Sequence, residues 1–120
     1  MKDVRCGKFL AKFLIIIKIT SIIKHQTSNN KLKTLISIIG STGIGKTKLA
    51  IEVAKYFDTE IISCDSRQFF KEMKIGTAMP SKEELEAVKH HFVGNLSVTD
   101  YYSIGQYEED ALKKIEELFH

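Results

Sequence analysis

Cysteine, proline and tryptophan are scarce in this chain of 120 residues, which has two cysteines, one proline and no tryptophan. Two cysteines are too few for the disulfide framework of a small secreted domain. One proline and seven glycines exclude collagen-like and linker-rich sequences. Hydrophobic residues make up 43% of the chain and the net charge is only +3, so general disorder is excluded. What remains is one small domain with enough apolar side chains to form a core.

Basic charge is concentrated at the amino-terminal end of the chain. Residues 1–35 carry eight basic side chains and one acidic side chain, whereas residues 36–120 carry ten basic and fourteen acidic ones. The longer region is therefore mildly acidic, and its sequence shows no general basic patch of the kind that binds nucleic acid.

Residues 1–33 form a basic and apolar leader that differs in composition from the domain expected at residues 34–120. The run from Phe9 to Ile23 is mostly apolar, but Lys12 and Lys18 interrupt it, and each lysine would cost about 2.5–3.5 kcal/mol at mid-bilayer. No small-residue cleavage site follows, although a secretory signal requires one. Three interpretations stay open: an upstream extension of the reading frame, a disordered targeting or membrane segment, and a packed helix.

Hydrophobic spacing from residue 34 onward predicts alternating strands and helices. Leu35–Ile39 and Glu60–Cys64 are short apolar runs typical of buried parallel strands. Between them, apolar residues recur at helical spacing over residues 46–57, at Leu49, Ala50, Val53, Ala54 and Phe57. The order strand, helix, strand predicts a βαβ unit and an α/β fold.

Two further helices are predicted downstream. Ser81–Glu84 is a capping-box pattern that opens a short helix to about Lys89, and Ser103–Gln106 opens another. The apolar face predicted for this last helix consists of Tyr107, Ala111, Leu112, Ile115, Leu118 and Phe119. Two parallel strands cannot form a sheet that is covered on both faces. We therefore interpret the sequence as the truncated, amino-terminal part of a larger α/β protein, with completion of the sheet by a second copy as the alternative.

The segment with the clearest chemical meaning is residues 40–47, which read GSTGIGKT and fit the phosphate-loop pattern. Glycines let successive backbone N–H groups face phosphate oxygens, and the following helix directs its positive end at the same anion. Lys46 supplies a mobile positive charge, and the Thr47 hydroxyl can ligate Mg²⁺ held by the phosphates. The loop alone predicts binding of a di- or triphosphate, a property that kinases, GTPases and transferases share. The predicted diphosphate- or nucleotide-binding residues are Gly40, Ser41, Thr42, Gly43, Ile44, Gly45, Lys46 and Thr47.

Asp65 directly follows the second predicted strand. Ligands of parallel sheets bind beyond the carboxyl ends of the strands, so we expect Asp65 to lie at the same edge as the phosphate loop. A carboxylate there can accept a proton from a nucleophile or hold Mg²⁺ through water. The alternative is that Asp65 caps a helix or faces solvent. Ser66, Arg67 and Gln68 come next and can reach a polar ligand, although such a tripeptide is more often only a loop.

Five sequence blocks fall in order along residues 34–120. They are the phosphate loop with threonine at its third position, IISCDSRQFF at 61–70, MKIGTAMP at 73–80, HHF at 90–92, and YS at 102–103 before a helix. Together these blocks resemble the tRNA dimethylallyltransferase family, also called the IPP transferase family. The resemblance implies a P-loop NTPase-like fold, in which helices flank a parallel sheet.

The resemblance implies an enzyme that transfers a dimethylallyl group from dimethylallyl diphosphate to the exocyclic amine of the adenine beside the tRNA anticodon. Residues 40–47 then bind the diphosphate rather than ATP, Thr42 contacts the oxygen that joins diphosphate to isoprenoid, and Thr47 ligates Mg²⁺. Asp65 is the implied general base. The implied tRNA contacts are Asp65, Ser66, Arg67 and Gln68. The implied partners are tRNA and dimethylallyl diphosphate, without a stable protein partner, in the cytoplasm; organelle targeting by the leader stays open.

The sequence departs from the family pattern at residues 67–70. Arg-Gln-Phe-Phe stands there, where the family commonly reads Met-Gln-Val-Tyr, so Arg67 is interpreted as a further phosphate contact and Phe70 lacks the usual tyrosine hydroxyl. The family's Gly-Gly-Thr block and its tRNA-clasping helical insert lie further along, so we interpret the chain as an incomplete fragment. Three alternatives stay open: an adenylate isopentenyltransferase, an ATP-dependent small-molecule kinase, and a non-catalytic remnant that binds diphosphate. Ser66 favours tRNA over a free nucleotide, because nucleotide-modifying relatives tend to carry lysine after the aspartate.

Overall fold

The computed structural model describes residues 11–17, 33–41, 43–73 and 79–120. Most of the predicted leader therefore lies outside the described residues, as do Thr42 and residues 74–78 of the MKIGTAMP block. In chain order the elements are strand β1 (Ala11–Ile17), strand β2 (Thr34–Gly40), helix α1 (Lys46–Tyr56), strand β3 (Glu60–Ser63), a 3₁₀ helix (Ser66–Gln68), helix α2 (Lys82–Ala87), strand β4 (His90–His91) and helix α3 (Ile104–Phe119).

The four strands form one sheet in the order β2-β1-β3-β4. Strand β1 pairs antiparallel with β2 on one side and with β3 on the other, while β4 pairs parallel with β3. Strands β2 and β3 consequently run in the same direction, as a βαβ unit requires. The two strands predicted from the apolar runs are confirmed, and the protein is a mixed α/β structure in which β3 and β4 form a small parallel part of the sheet. The expectation of a purely parallel sheet is wrong, because an antiparallel strand lies between β2 and β3.

Strand β1 comes from the leader. Its sequence, AKFLIII, ends in three consecutive isoleucines, and β-branched side chains lose rotamer freedom in a helix but fit an extended, pleated backbone. The packed-helix interpretation of the leader is therefore wrong for residues 11–17. No helix in the part of the chain that the structure describes is long and apolar enough to cross a membrane.

The hydrophobic core lies between α1 and one face of the sheet. Ala50, Ala54 and Ile61 are fully buried there, and Ile36 and Ile38 of β2 pack against them. Alternate residues of β2 point away from α1, so Leu35 and Ile39 stay about half exposed at 46% and 53%. The alternation explains how one strand supplies both a core face and an uncovered face.

Helix α1 begins where the sequence predicts but is turned slightly about its axis. Leu49, expected on the apolar face, is 50% exposed, whereas Ile51 is buried in the core with Val88. Residue 88 follows α2, which contacts α1, so the buried face of α1 covers both the sheet and this neighbouring segment. The spacing of apolar residues predicted the position of α1, and packing against α2 determines which face of the helix is buried.

Helices α2 and α3 begin with the predicted capping boxes. The Ser81 and Ser103 hydroxyls each accept a hydrogen bond from the backbone N–H three residues later, and Glu84 and Gln106 reciprocate. Helix α2 ends at Ala87, before the expected Lys89, because Val88 adopts an extended backbone with φ −149° and enters the core. On α3, Ala111 is buried as predicted but Leu112 is 54% exposed.

Candidate active site

The phosphate loop joins the end of β2 to the start of α1. Gly43 and Gly45 have φ values of +82° and +93°, which side-chain-bearing residues rarely adopt, so both positions require glycine. Gly45 is the N-cap of α1, and no side chain caps this helix end. Backbone N–H groups and the positive end of the helix dipole therefore face the loop, as an anion site needs.

Lys46 extends back along this loop. The residue is only 7% exposed, and its ammonium donates a hydrogen bond to the backbone oxygen of Ser41. A buried lysine with this partner places a positive charge within the turn rather than in bulk solvent. Thr47, the next residue, is half-buried in the first turn of α1. Thr42, which is predicted to contact the oxygen between diphosphate and isoprenoid, lies outside the described residues.

The sheet register fixes where Asp65 lies relative to the loop. Across β1, Gly40 pairs with Ala11 and Ser63 pairs with Phe13, so the end of β3 stops two residues short of the end of β2. Two residues beyond Ser63, Asp65 comes level with Gly40. Two strand spacings separate β2 from β3, about 10 Å. The start of the phosphate loop and Asp65 thus share one sheet edge, with the first residue of β1 between them.

Asp65 is almost completely buried, with 8% of its surface exposed. Its Oδ1 accepts hydrogen bonds from the Arg67 backbone N–H at 3.0 Å and from Arg67 Nε at 3.2 Å, and Oδ2 accepts from Arg67 Nη2 at 3.2 Å. The first of these bonds caps the 3₁₀ helix. The capping interpretation of Asp65 is therefore confirmed and the solvent-facing one is wrong. Hydrogen bonding to Asp65, and then its charge, raise the pKa of Arg67 above its ordinary value.

A buried network fixes the turn that follows Asp65. The Ser63 hydroxyl donates to Gln68 Oε1 at 2.9 Å, and both side chains are fully buried. The Tyr107 hydroxyl on α3 donates to the Ser63 backbone oxygen at 2.9 Å, and burial raises the pKa of Tyr107. The side chain of Gln68 thus faces the interior, whereas Ser66 is exposed and the Arg67 side chain is 41% exposed. An RNA contact through Gln68 stays a prediction.

Sequence reasoning missed the aromatic cluster below this turn. The Phe69 ring stacks on Tyr107 with centroids 4.9 Å apart, and Phe92 and Tyr102 approach Phe69 edge-on at 6.4 and 6.0 Å. The cluster ties the turn after β3 to α3 and to the segment after β4. No periodicity in the sequence links these residues, although Phe69, Phe92 and Tyr102 stand in the sequence blocks IISCDSRQFF, HHF and YS described above.

The adjacent histidines of β4 have different partners, as alternation along a strand requires. His91 Nε2 bonds to the Glu60 carboxylate, whereas His90 Nδ1 lies 2.7 Å from the Val88 backbone oxygen. His90 Nε2 is buried and has no hydrogen-bond partner among the described residues. Within that same part of the chain, no group of three or more His, Cys, Asp or Glu side chains lies together as a metal site would require.

Comparison with known proteins finds one family that the chain resembles. Residues 68–120 match the sequence model of the family described as IPP transferase. The chain is 61% identical over 88 residues to the tRNA dimethylallyltransferase of Flavobacterium johnsoniae, 73% of this chain and 28% of that protein. It is 63% identical over 86 residues to the enzyme of the same name from Christiangramia forsetii, 72% of this chain and 28% of that protein. No solved structure matches the chain.

The alignment with the Flavobacterium protein covers the whole candidate site. Any stretch of 88 residues in a chain of 120 contains residues 40–47 and 65–68, so both the phosphate loop and the Asp65 turn lie within it. The chain spans about 28% of the length of the curated relatives that it matches. The resemblance to the IPP transferase family is confirmed: this chain is homologous to a part of the tRNA dimethylallyltransferases.

Proposed function

We propose that this chain carries the diphosphate site and the general base of a tRNA dimethylallyltransferase, within a P-loop NTPase-like fold. One observation carries the proposal: the register brings Asp65 level with Gly40 at the edge of the sheet where the phosphate loop begins. The names of its relatives supply the substrate class, tRNA, and the group transferred. Dimethylallyl diphosphate is the implied donor, and the cytoplasm is the proposed compartment.

The phosphate loop holds the leaving group. Backbone N–H groups of the turn at Gly43 and Gly45, together with the start of α1, stabilise the charge that develops on diphosphate as its bond to the dimethylallyl carbon breaks. Lys46 Nζ moves from the Ser41 carbonyl to a phosphate oxygen, a stronger, charge-assisted partner. The half-buried Thr47 would hold Mg²⁺, which supplies further charge neutralisation when bound.

Asp65 takes the proton from the nucleophile. The exocyclic amine of an adenine that has left the anticodon stack attacks the dimethylallyl carbon, so that a C–N bond forms and the C–O bond to diphosphate breaks. The amine N–H proton passes to the Asp65 carboxylate, and the electron pair of the C–O bond leaves with diphosphate.

Calorimetry separates this function from the kinase alternative. The 120-residue chain is titrated with dimethylallyl diphosphate and, separately, with ATP in the presence of Mg²⁺. We expect dimethylallyl diphosphate to bind at least tenfold more tightly than ATP. Tighter binding of ATP contradicts the proposed function and supports a phosphoryl-transfer enzyme. Adenosine monophosphate, added after the diphosphate, tests the adenylate isopentenyltransferase alternative, and we expect no binding heat from it.

A further inference from the structure

Arg67 occupies the carboxylate that the proposed reaction needs. A carboxylate oxygen accepts about two hydrogen bonds. Arg67 alone gives Oδ1 two donors, its backbone N–H and Nε, and gives Oδ2 a third donor, Nη2. Oδ1 is therefore saturated and Oδ2 is half used. Only 6% of the Asp65 side chain is exposed, and the guanidinium lies against both of its carboxylate oxygens.

The backbone of this turn is fixed, so the guanidinium is the part that can move. The Gln68 N–H donates to the Asp65 backbone oxygen at 2.9 Å, and the Gly94 N–H donates to the Gln68 backbone oxygen at 2.7 Å. The buried bond between Ser63 and Gln68 anchors the same turn from β3. In contrast, 41% of the Arg67 side chain is exposed. An RNA phosphate can therefore approach the guanidinium from solvent without movement of the buried turn.

We propose that Arg67 is a positioning residue that covers Asp65 in the RNA-free protein and transfers its guanidinium to an RNA phosphate when RNA binds, which uncovers the carboxylate. This inference rests on the proposed function. A phosphate group suits the exchange because it accepts the planar fork of arginine in the same bidentate manner as a carboxylate. Arg67 is the one arginine of residues 36–120, so it is the side chain of that region that can bind a phosphate in this bidentate way.

The salt dependence of RNA binding tests the transfer. The probe is a fluorescein-labelled RNA hairpin with an anticodon-loop sequence, titrated with the 120-residue chain at several salt concentrations. Each phosphate contact through arginine or lysine contributes about 0.9 to the slope of log affinity against log salt. We expect Arg67→Gln to lower the magnitude of the slope by about one, and Arg67→Lys to restore it.

The matched control is Lys55→Gln. Lys55 is exposed near the end of α1, nine residues and roughly 13 Å of helix from Lys46. The variant removes the same charge at the end of α1 that is remote from the phosphate loop, so its slope should equal that of the parent. Equal slopes for the parent and Arg67→Gln, or failure of the parent chain to bind the hairpin, would overturn the inference.

Nuclear magnetic resonance observes the guanidinium directly. The chain has only two arginines, Arg5 and Arg67, so the Nε–H signal of Arg67 is assigned by its loss in Arg67→Gln. We expect the RNA hairpin to shift this signal, and inorganic pyrophosphate alone to leave it unchanged. An unchanged signal at saturating RNA, or a shift caused by pyrophosphate, contradicts the transfer. If the proposed function itself fails, the calorimetric titration with dimethylallyl diphosphate shows no binding, whatever Arg67 does.

Discussion

Lys46 is buried, and its ammonium bonds to a neutral carbonyl oxygen, which is a weaker partner than a phosphate oxygen. Its ammonium bonds to the Ser41 carbonyl although only 7% of the residue is exposed. We expect Lys46→Ala to weaken binding of dimethylallyl diphosphate by at least tenfold, because one charge-assisted hydrogen bond contributes about 1.5–3 kcal/mol. Calorimetry measures the change. Lys48→Ala, an exposed lysine two residues on, serves as control and should bind like the parent.

His90 gives the protein a predictable sensitivity to acid. Burial lowers the pKa of His90 below 6.5, against the raising effects of the Val88 carbonyl and of Glu84. The unfolded chain therefore binds a proton more readily than the folded chain, so the stability present above about pH 6.5 is lost as pH falls. Protonation would also place a cation at the buried Nε2, which has no partner among the described residues.

We therefore expect the free energy of unfolding to fall as the pH is lowered from 7.5 to 5.5. Denaturant unfolding measures it, and the His90→Gln variant should lose most of this dependence. The window lies above the titration of Glu60, whose pKa is lowered below 4.5 by His91 and Lys89 despite its partial burial. His120→Gln, at an exposed position, is the control and should retain the parent slope. A parent chain whose stability is constant across this window contradicts the assignment of a neutral, buried His90.

Among the secondary-structure elements, strand β1 is the one that joins β2 to β3 in the sheet. It is hydrogen-bonded on both sides, and Ile15 pairs with Ile36 on β2 and with Ile61 on β3. Proline at this position removes a backbone donor and disrupts the ladder of a central strand. We expect Ile15→Pro to lower the free energy of unfolding by at least about 2 kcal/mol.

The conservative variant Ile15→Val keeps the backbone donor and should lower the free energy of unfolding by at most about 1.5 kcal/mol. Urea denaturation followed by circular dichroism compares the two variants. Equal stability of Ile15→Pro and the parent would mean that residues 11–17 do not join the sheet in solution, and β2 and β3 would then lack their shared partner.

Local signals predicted the elements well wherever the cause of structure is itself local. The capping serines at 81 and 103 and the glycines at 43 and 45 are in place because their effects act within a few residues. The role of β1 could not be predicted in this way. Its pairing joins residues far apart in the chain, and its lysine suggested a leader rather than a central strand. The ion pair between Asp65 and Arg67 could not be predicted from the sequence, because it depends on the 3₁₀ turn that directs the Arg67 side chain back to Asp65.

In the whole molecule, the phosphate loop and Asp65 lie at one edge of the sheet, and several apolar side chains elsewhere stay exposed. Leu35, Ile39 and Leu112 are each about half exposed, at 46%, 53% and 54%. The relatives are more than three times as long as the segment they share with this chain. Strands β2 and β3 and the starts of α1, α2 and α3 were predictable from the sequence, whereas β1 and the cover on each face of the sheet depend on packing that short-range patterns do not encode.

The most direct test is prenyl transfer by a chimera in which the matching residues of this chain replace those of the Flavobacterium johnsoniae enzyme. The assay follows radiolabelled dimethylallyl transfer to tRNA, for the chimera and for its Asp65→Asn variant. A general base contributes about 10²–10⁴ in rate, so the variant should lose at least 100-fold in activity while binding dimethylallyl diphosphate as tightly as the unsubstituted chimera. Activity of Asp65→Asn within threefold of the unsubstituted chimera would contradict the proposal that Asp65 accepts the proton of the adenine amine.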